Sequence, residues 1–221
     1  MIKDFISLIF PQNCINCSQS LISEENFLCT TCKLDLPYTQ DNLHSENHLF
    51  QKFAFEKKIQ SAQAFLYFNK GGITQKLLHQ LKYKCKKELG DKLGEWFAPE
   101  LSHLSFDIII PVPLHKSKQK RRGYNQSESI AIGISRELEI PVENSCIERR
   151  VFTQTQTRKS KVQRWSNMEN VYESSKVDLS DLSVLVVDDV ITTGATVGML
   201  CDRLIEANVH NIHIATIARG K

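Results

Sequence analysis

Apolar positions along this chain alternate between the period of β-strands and the period of α-helices. A strand pattern covers residues 60–68, and two short continuous apolar runs, at 107–113 and 184–187, have the character of buried parallel strands. A last strand pattern covers 212–217. Helical spacing separates these strands and is carried by Ile73, Leu77, Leu78 and Leu81, by Leu89, Leu93, Trp96 and Phe97, by Ile130, Ile134 and Leu138, and by Val197, Leu200, Cys201 and Leu204. The alternation predicts an α/β domain, with a parallel sheet and helices on both of its faces.

The length of 221 residues allows one α/β domain of ordinary size and a small appendage. Residues 1–36 carry two cysteine pairs and form the predicted appendage. Residues 37–59 are polar and irregular, which is typical of a linker or a loosely packed arm. Residues 60–221 then form the predicted α/β domain.

Composition and charge narrow the class of protein. The hydrophobic fraction of 41% and the charged fraction of 24% are those of a soluble globular protein, and a net charge of +3 gives no global case for nucleic-acid binding. Two local runs, 115–127 and 149–168, are basic and contain no acid, so they are candidate anion sites. The N-terminal apolar run is too short to span a bilayer and lacks a cleavage site. We therefore expect a cytoplasmic protein with no membrane span.

Four of the seven cysteines form two Cys-x-x-Cys pairs. The pairs Cys14/Cys17 and Cys29/Cys32 are separated by eleven residues. Each pair is a tight turn that can direct two thiolates at one metal ion, and two such turns complete a tetrahedron. A redox Cys-x-x-Cys is the alternative, although it rarely occurs twice within so short a stretch. The spacing predicts a structural zinc site.

The segment 184–196 has the pattern of a strand, a loop and the start of a helix. Ligands of open parallel sheets bind beyond the carboxyl ends of the strands, where loop amides and a helix N-terminus favour anions. Gly194 would let the backbone approach a phosphate closely, and Thr192, Thr193 and Thr196 would add hydroxyl donors. The alternative without a ligand is a turn in which the two acids cap a helix. The whole run predicts a phosphate site with two carboxylates, those of Asp188 and Asp189, beside it.

This run closely resembles the phosphoribosyl-pyrophosphate signature of type I phosphoribosyltransferases. The resemblance implies that Asp188 and Asp189 bind the ribose 2′- and 3′-hydroxyls. It also implies that the 5′-phosphate is bound by Thr192, Thr193, Gly194, Ala195 and Thr196.

The other strand end, at 110–113, continues into a basic segment. In type I phosphoribosyltransferases a loop at this place in the chain order binds pyrophosphate, which implies that role for Val112, Pro113, Lys116, Arg121 and Arg122. A solvated basic helix start is the alternative. Asn125 and Gln126 could face the ligand, or could be a helix N-cap and an exposed glutamine. With 110–115, the run 121–126 is similar to the pattern of the ComF/GntX family, competence-associated proteins with a phosphoribosyltransferase domain and an N-terminal cysteine finger.

The polar, basic segment 149–167 resembles the mobile loop of amidophosphoribosyltransferases. The resemblance places Gln156, Arg164 and Asn167 at positions of the ComF pattern and implies a lid that would close over the ligand. A polar disordered loop is the alternative.

The resemblance indicates the ligand more firmly than the activity. One hypothesis is an enzyme that transfers a phosphoribosyl group to a nitrogen acceptor, with Mg²⁺ bound to the pyrophosphate. The other is a non-catalytic phosphoribosyl-binding protein whose finger docks a DNA-uptake partner or single-stranded DNA. The chain departs from many relatives because no further cysteine pair follows Cys32 before Cys85. No residue stands out as a general base, and His115 is not expected to be one.

Overall fold

The structure is a computed structural model that describes residues 12–22, 24–44, 46–83, 86–149, 172–174 and 177–220. Within these ranges the strands are β1 (Ile59–Tyr67), β2 (Ile108–Pro111), β3 (Ile147–Arg149), β4 (Tyr172–Ser174), β5 (Ser183–Ile191) and β6 (Asn211–Arg219). The α-helices are α1 (Thr30–Leu34), α2 (Ile73–Tyr83), α3 (Lys87–Leu101), α4 (Lys116–Arg122), α5 (Gln126–Leu138) and α6 (Ala195–Glu206). Two short 3₁₀ helices, Asp41–Leu43 and Phe50–Lys52, precede β1.

Four strands form one sheet in the order β1-β6-β5-β2, and each neighbouring pair is parallel. Ile108 pairs with Val184, and Pro111 pairs with Val187. The strands predicted from the apolar runs therefore lie side by side, with their carboxyl ends at the same edge. The predicted parallel sheet is confirmed.

Both faces of this sheet are covered, as the continuous burial of Val184–Val187 in β5 requires. Leu185 and Val187 face one apolar cluster, which also contains buried residues of α2, α3 and α5. Val184 and Val186 face a second cluster, which contains the buried residues of α6. Continuous apolar strands with helices on each side are what a fully buried parallel sheet needs.

The cysteine unit packs against the first of these clusters. Cys14 and Leu28 belong to the same buried cluster as Phe65 of β1. From α2, the Nζ of Lys76 donates to the carbonyl oxygen of Asn16 at 2.9 Å and to its Oδ1 at 2.8 Å. A unit too small for its own core thus rests on the core of the α/β domain.

The segment 37–59 is firmly attached at its centre. Asp41 is 3% exposed and accepts from Nε and Nη2 of Arg219, at 2.8 and 2.7 Å. The side-chain amide of Asn47 donates to Ala62 O of β1 at 2.8 Å. These bonds attach the segment to β1 and β6, and we call residues 37–59 the arm below.

One feature had been left open by the sequence, and another was not predicted. The basic residues after β2 form the helix Lys116–Arg122, which buries none of its residues and is the alternative of a solvated basic helix start. The short antiparallel pair of β3 and β4 was not predicted, because three residues per strand are too few for a periodic signal. Across the described ranges, none of the helices has the length and apolar character needed to cross a bilayer.

Candidate functional site

The two predicted ligand loops begin at adjacent strand ends. The backbone N–H of Val112, just after β2, donates to the carbonyl oxygen of Val187 in β5 at 2.8 Å. One residue further along β5 come the two acids, Asp188 and Asp189. The structure therefore brings together the loops that the sequence placed 70 or more residues apart.

Asp188 is held by donors from two elements. Ser127 Oγ of α5 donates to its Oδ1 at 3.0 Å, and the backbone N–H of Asp189 donates to the same oxygen at 2.8 Å. Burial of the carboxyl, followed by the charge of Asp189, raises the pKa of Asp188 to about 7. A carboxylate with this pKa is one that ligand hydroxyls or a nearby cation would stabilise in its charged form.

Asp189 forms an ion pair that sequence reasoning missed. Lys82, in the last turn of α2, lies 2.9 Å from it (Nζ to Oδ2), and the two side chains are 24% and 13% exposed. In the sequence, Lys82 stands next to the buried Leu81 at a position where a solvated lysine is the ordinary expectation. No local signal distinguishes it.

The loop between β5 and α6 has the geometry of an anion site. Gly194 has φ +84°, in the left-handed region, and precedes the twelve-residue helix α6 as its N-cap. A small cavity of about 40 Å³ is lined by Asp188 and by residues 190–197. The backbone amides at a helix N-terminus carry partial positive charge, so this cavity suits a phosphate group. The predicted residues from Thr192 to Thr196 all line it.

The arm touches this loop from the other side. Lys52 Nζ donates to the carbonyl oxygen of Thr192 at 2.6 Å. A Cβ placed on Gly194 would lie 2.9 Å from Cζ of Phe53, which is 2% exposed. The sequence predicted neither contact.

The segment after β2 is tied back to the sheet. Asn125 caps α5 by accepting from the Ser127 N–H at 3.2 Å, and its amide donates to Val112 O at 3.0 Å. Gln126 is 2% exposed and accepts from Nη1 of Arg122 at 2.6 Å. The N-cap alternative for Asn125 is therefore observed, while the exposed alternative for Gln126 is not. Gln126 precedes Ser127, which donates to Asp188, so this bond places Arg122 near the ligand loops.

The remaining predicted basic residues lie at the surface. Lys116 and Arg121 are exposed on the two ends of α4, and Pro113 is partly buried in the loop before it. His115 caps α4 by accepting the Ser117 N–H at Nδ1, 3.2 Å away. Gln156, Arg164, Asn167 and the proposed lid lie outside the described residues.

The four cysteines of the two pairs converge on one point. All four Sγ atoms lie within 4.8 Å of one another, and those of Cys17 and Cys29 are 3.7 Å apart. Zn–S bonds of about 2.3 Å in a tetrahedron would place the sulfurs about 3.8 Å apart, so the set fits a zinc ion. Burial acts to raise the pKa of the Cys14 thiol, but hydrogen bonds from backbone amides, including those of Cys17 and Cys29, lower it to about 6. The Cys32 thiol differs: Asn16 bonds to it and lowers its pKa, but burial and the neighbouring cysteines raise that pKa to about 12. The pKa of Cys29 is also raised. Without a cation, therefore, Cys14 is the thiol of this set that is favoured as a thiolate.

The chain is similar to several known proteins. The Phosphoribosyl transferase domain family matches residues 94–221. Competence protein F of Haemophilus influenzae is 30% identical over 234 residues, which cover 96% of this chain and 98% of that protein. DNA utilization protein YhgH of Escherichia coli O157:H7 is 29% identical over 150 residues, covering 65% of this chain and 66% of that protein. Among solved structures, the glutamine phosphoribosylpyrophosphate amidotransferase of B. subtilis with ADP and GMP is similar at a TM-score of 0.43 and 23% identity. The match covers 57% of this chain and 25% of the amidotransferase chain.

Proposed function

Because this chain belongs to the phosphoribosyl transferase domain family and, within it, to the ComF family of competence protein F, we propose that it binds 5-phosphoribosyl pyrophosphate. The observation that carries the proposal is the junction of β5 and α6. There, two adjacent carboxylates are followed by a cavity-forming loop at a helix N-terminus.

Each part of this ligand has a counterpart in the site. Residues 192–196 would bind the 5′-phosphate through loop amides and hydroxyls. Asp188 and Asp189 would accept hydrogen bonds from the ribose 2′- and 3′-hydroxyls. The pyrophosphate would lie toward the loop after β2, where Arg122 bonds to Gln126, the neighbour of the Ser127 that donates to Asp188.

Two metal ions belong to this proposal. Mg²⁺ prefers oxygen ligands, so pyrophosphate and ribose oxygens would hold it beside Asp188 and Asp189, and it would neutralise pyrophosphate charge. Zn²⁺ would be bound by Cys14, Cys17, Cys29 and Cys32, whose Sγ atoms all lie within 4.8 Å of one another. The zinc role is structural, since all four positions would be filled by protein thiolates.

The activity that we propose is transfer of the phosphoribosyl group to a nitrogen acceptor. The bond from ribose C1 to the pyrophosphate oxygen would break, pyrophosphate would leave with its electron pair, and the acceptor nitrogen would form the new bond to C1. The protein's contribution would be positioning of the ribose by the carboxylates and stabilisation of the charge on the leaving group. Among the described residues we assign no general base.

Calorimetry with 5-phosphoribosyl pyrophosphate and Mg²⁺ tests the binding. We expect binding by the wild-type protein and none by the double variant Asp188→Ala/Asp189→Ala. Asp202→Ala, which removes an exposed acid from α6, is the matched control and should bind normally. Absence of binding by the wild-type protein would reject the proposal. Release of pyrophosphate on addition of ammonia, glutamine or nucleobases would then establish the transfer.

A second candidate function is a non-catalytic one in DNA uptake. It is favoured by the names of the two relatives, competence protein F and DNA utilization protein. Here the domain would hold the phosphoribosyl ligand, and the cysteine unit would dock a DNA-uptake protein or single-stranded DNA. Two results together would favour this role. The first is that no pyrophosphate is released with ammonia, glutamine or nucleobases. The second is loss of transformation in a Cys29→Ser strain whose protein still binds the ligand. Normal transformation in that strain would reject it.

A further inference from the structure

Two successive residues of the arm contact the loop that surrounds the small cavity. Lys52 Nζ donates to Thr192 O at 2.6 Å, and Phe53 places its ring 2.9 Å from where a Cβ on Gly194 would be. The cavity itself is lined by Asp188 and residues 190–197. Lys52 and Phe53 are not part of that lining, so they support the loop from behind.

The arm is held firmly enough to support the loop. Asp41 is fixed by its two bonds to Arg219, and the Ala64 N–H donates to its Oδ2 at 3.1 Å. Asn47 Oδ1 accepts from the N–H groups of Leu49 and Phe50, both at 2.9 Å, and Phe50 lies two residues before Lys52. The turn that presents Lys52 and Phe53 is thus anchored to β1 and to the end of β6.

The bond from Lys52 fixes the orientation of one peptide in the loop. In a planar trans peptide the carbonyl and the next N–H point in opposite directions. Because Lys52 holds the carbonyl of Thr192 on the arm side, the N–H of Thr193 is directed away from the arm, and Thr193 itself lines the cavity. The ammonium group also adds a positive charge behind a loop whose amides would face an anion.

Phe53 restricts the same loop at Gly194, two residues after Thr192. Gly194 has φ +84°, which L-residues with a side chain rarely adopt, and its Cα faces the ring. Phe53 is buried, so the ring has little room to withdraw. The loop is therefore held at Thr192 by a hydrogen bond and at Gly194 by packing.

We propose that Lys52 and Phe53 are positioning residues for the 5′-phosphate loop, holding its backbone amides in the orientation that binds the phosphate. This inference rests on the proposed function for the identity of the ligand. It does not rest on it for the effect on the loop, because the contacts exist in the protein without ligand.

Ribose 5-phosphate is the probe for the effect on binding, since it carries the 5′-phosphate and no pyrophosphate. We expect Lys52→Met to weaken its affinity about tenfold, the scale of one charge-assisted hydrogen bond. Lys52→Arg should recover most of the affinity. Lys57→Met, which removes the same charge from an exposed residue of the arm, should leave it unchanged. Equal affinities of the Lys52→Met and Lys57→Met variants, where the wild-type protein binds the probe, would overturn the role in phosphate binding.

Amide hydrogen exchange, measured by NMR without ligand, tests the positioning by itself. The Gly198 N–H, which donates to Gly194 O at 2.8 Å, reports opening of the first turn of α6. We expect it to exchange severalfold faster in Lys52→Met than in Lys57→Met, with Lys52→Arg near the wild-type rate. Equal exchange in the two methionine variants overturns the inference whatever the ligand. Faster exchange in a protein that binds neither ribose 5-phosphate nor 5-phosphoribosyl pyrophosphate would instead reject the proposed function and keep the positioning role.

Discussion

Lys82 at the end of α2 and Asp189 at the end of β5 form an ion pair, with Nζ 2.9 Å from Oδ2. The adjacent residues of the same turn also reach the site. Tyr124 donates from its hydroxyl to Leu81 O, and the guanidinium of Arg122 lies 5.9 Å from the ring centroid of Tyr83. The end of α2 therefore contacts both Asp189 and the segment after β2.

The first prediction concerns the charge of Lys82. In Lys82→Met the two carboxylates would face a polyanionic ligand without their nearest cation, so we expect the affinity for 5-phosphoribosyl pyrophosphate to fall about tenfold. Lys70→Met, an exposed lysine before α2, is the control for loss of charge alone. Calorimetry of both variants at one salt concentration measures the difference. Unchanged affinity in Lys82→Met would show that the pair has no part in binding.

The second prediction follows from the pKa of Asp188. Burial and the neighbouring Asp189 raise it to about 7, whereas an aspartate in an unfolded chain has a pKa of about 3.9. Between about pH 4 and pH 7 the folded carboxyl keeps a proton that the unfolded chain has released, so stability falls as pH rises through this window. Asp188→Asn removes this loss. We expect its Tm at pH 8 to exceed that of the wild-type protein, while ligand binding is lost.

Thermal unfolding of the ligand-free proteins at pH 5 and at pH 8 provides the measurement. Asp35→Asn, which changes an exposed carboxyl of the cysteine unit, should keep the wild-type dependence on pH. If the Tm changes by the same amount between pH 5 and pH 8 in Asp188→Asn and in the wild-type protein, the raised pKa of Asp188 is wrong.

Much of the fold could be predicted from the sequence because the buried strands are continuous apolar runs. Val184–Val187 has no polar residue, and such a run is typical of a strand that is covered on both faces. The helix Lys116–Arg122 could not be predicted in this way, because it buries none of its residues and so has no apolar period. Its helical character comes from the His115 cap and from Gly123 at its end, with φ +84°.

The site also has a part that is visible in the sequence and a part that is not. Asp188 to Thr196 are contiguous, so their chemistry is visible as a motif, and the cysteine pairs are visible for the same reason. Lys82, Lys52 and Phe53 reach the site only through tertiary packing. A lysine at a polar position of a helix or turn carries no local mark of its partner, so these contacts required the structure.

The third prediction concerns the backbone at Gly194. Gly194→Ala would place a side chain in the left-handed region, at a cost of roughly 1–2 kcal/mol, and would push Cβ against the ring of Phe53. We expect lower stability in urea and weaker binding of ribose 5-phosphate. Gly198→Ala is the matched control, because a Cβ there meets nothing within 4 Å and the residue lies inside α6. The free energy of unfolding of Gly198→Ala should rise by about 0.5–1 kcal/mol. A Gly194→Ala protein as stable as the Gly198→Ala protein would contradict the prediction.

The fourth prediction is the metal content of the cysteine unit. With four Sγ atoms within 4.8 Å, we expect about one zinc ion per chain by elemental analysis. Cys17→Ser should lose most of it, whereas Cys146→Ala, which changes a buried cysteine outside the cluster, should retain it. Because the unit packs on the α/β core through Cys14 and Leu28, removal of zinc by a chelator should also lower the Tm. Zinc well below one per chain in the freshly purified protein would end the zinc proposal.

The last prediction concerns the ion pair that anchors the arm. Arg219 and Asp41 are 5% and 3% exposed, so Arg219→Met leaves a buried carboxylate without its partner. Loss of one partner from a buried pair costs about 3–5 kcal/mol, whereas an exposed pair contributes about 1 kcal/mol or less. Arg203→Met is therefore the matched control, because Arg203 pairs with Glu206 on the surface of α6, with side chains 27% and 62% exposed.

Urea denaturation of the two variants measures this difference directly. The double variant Asp41→Asn/Arg219→Met removes the uncompensated charge, so we expect it to recover part of the stability that Arg219→Met loses. Since the arm presents Lys52 to the loop, Arg219→Met should also weaken binding of ribose 5-phosphate, and Arg203→Met should not. Equal losses of stability in the Arg219→Met and Arg203→Met variants would mean that the arm is not held by this pair.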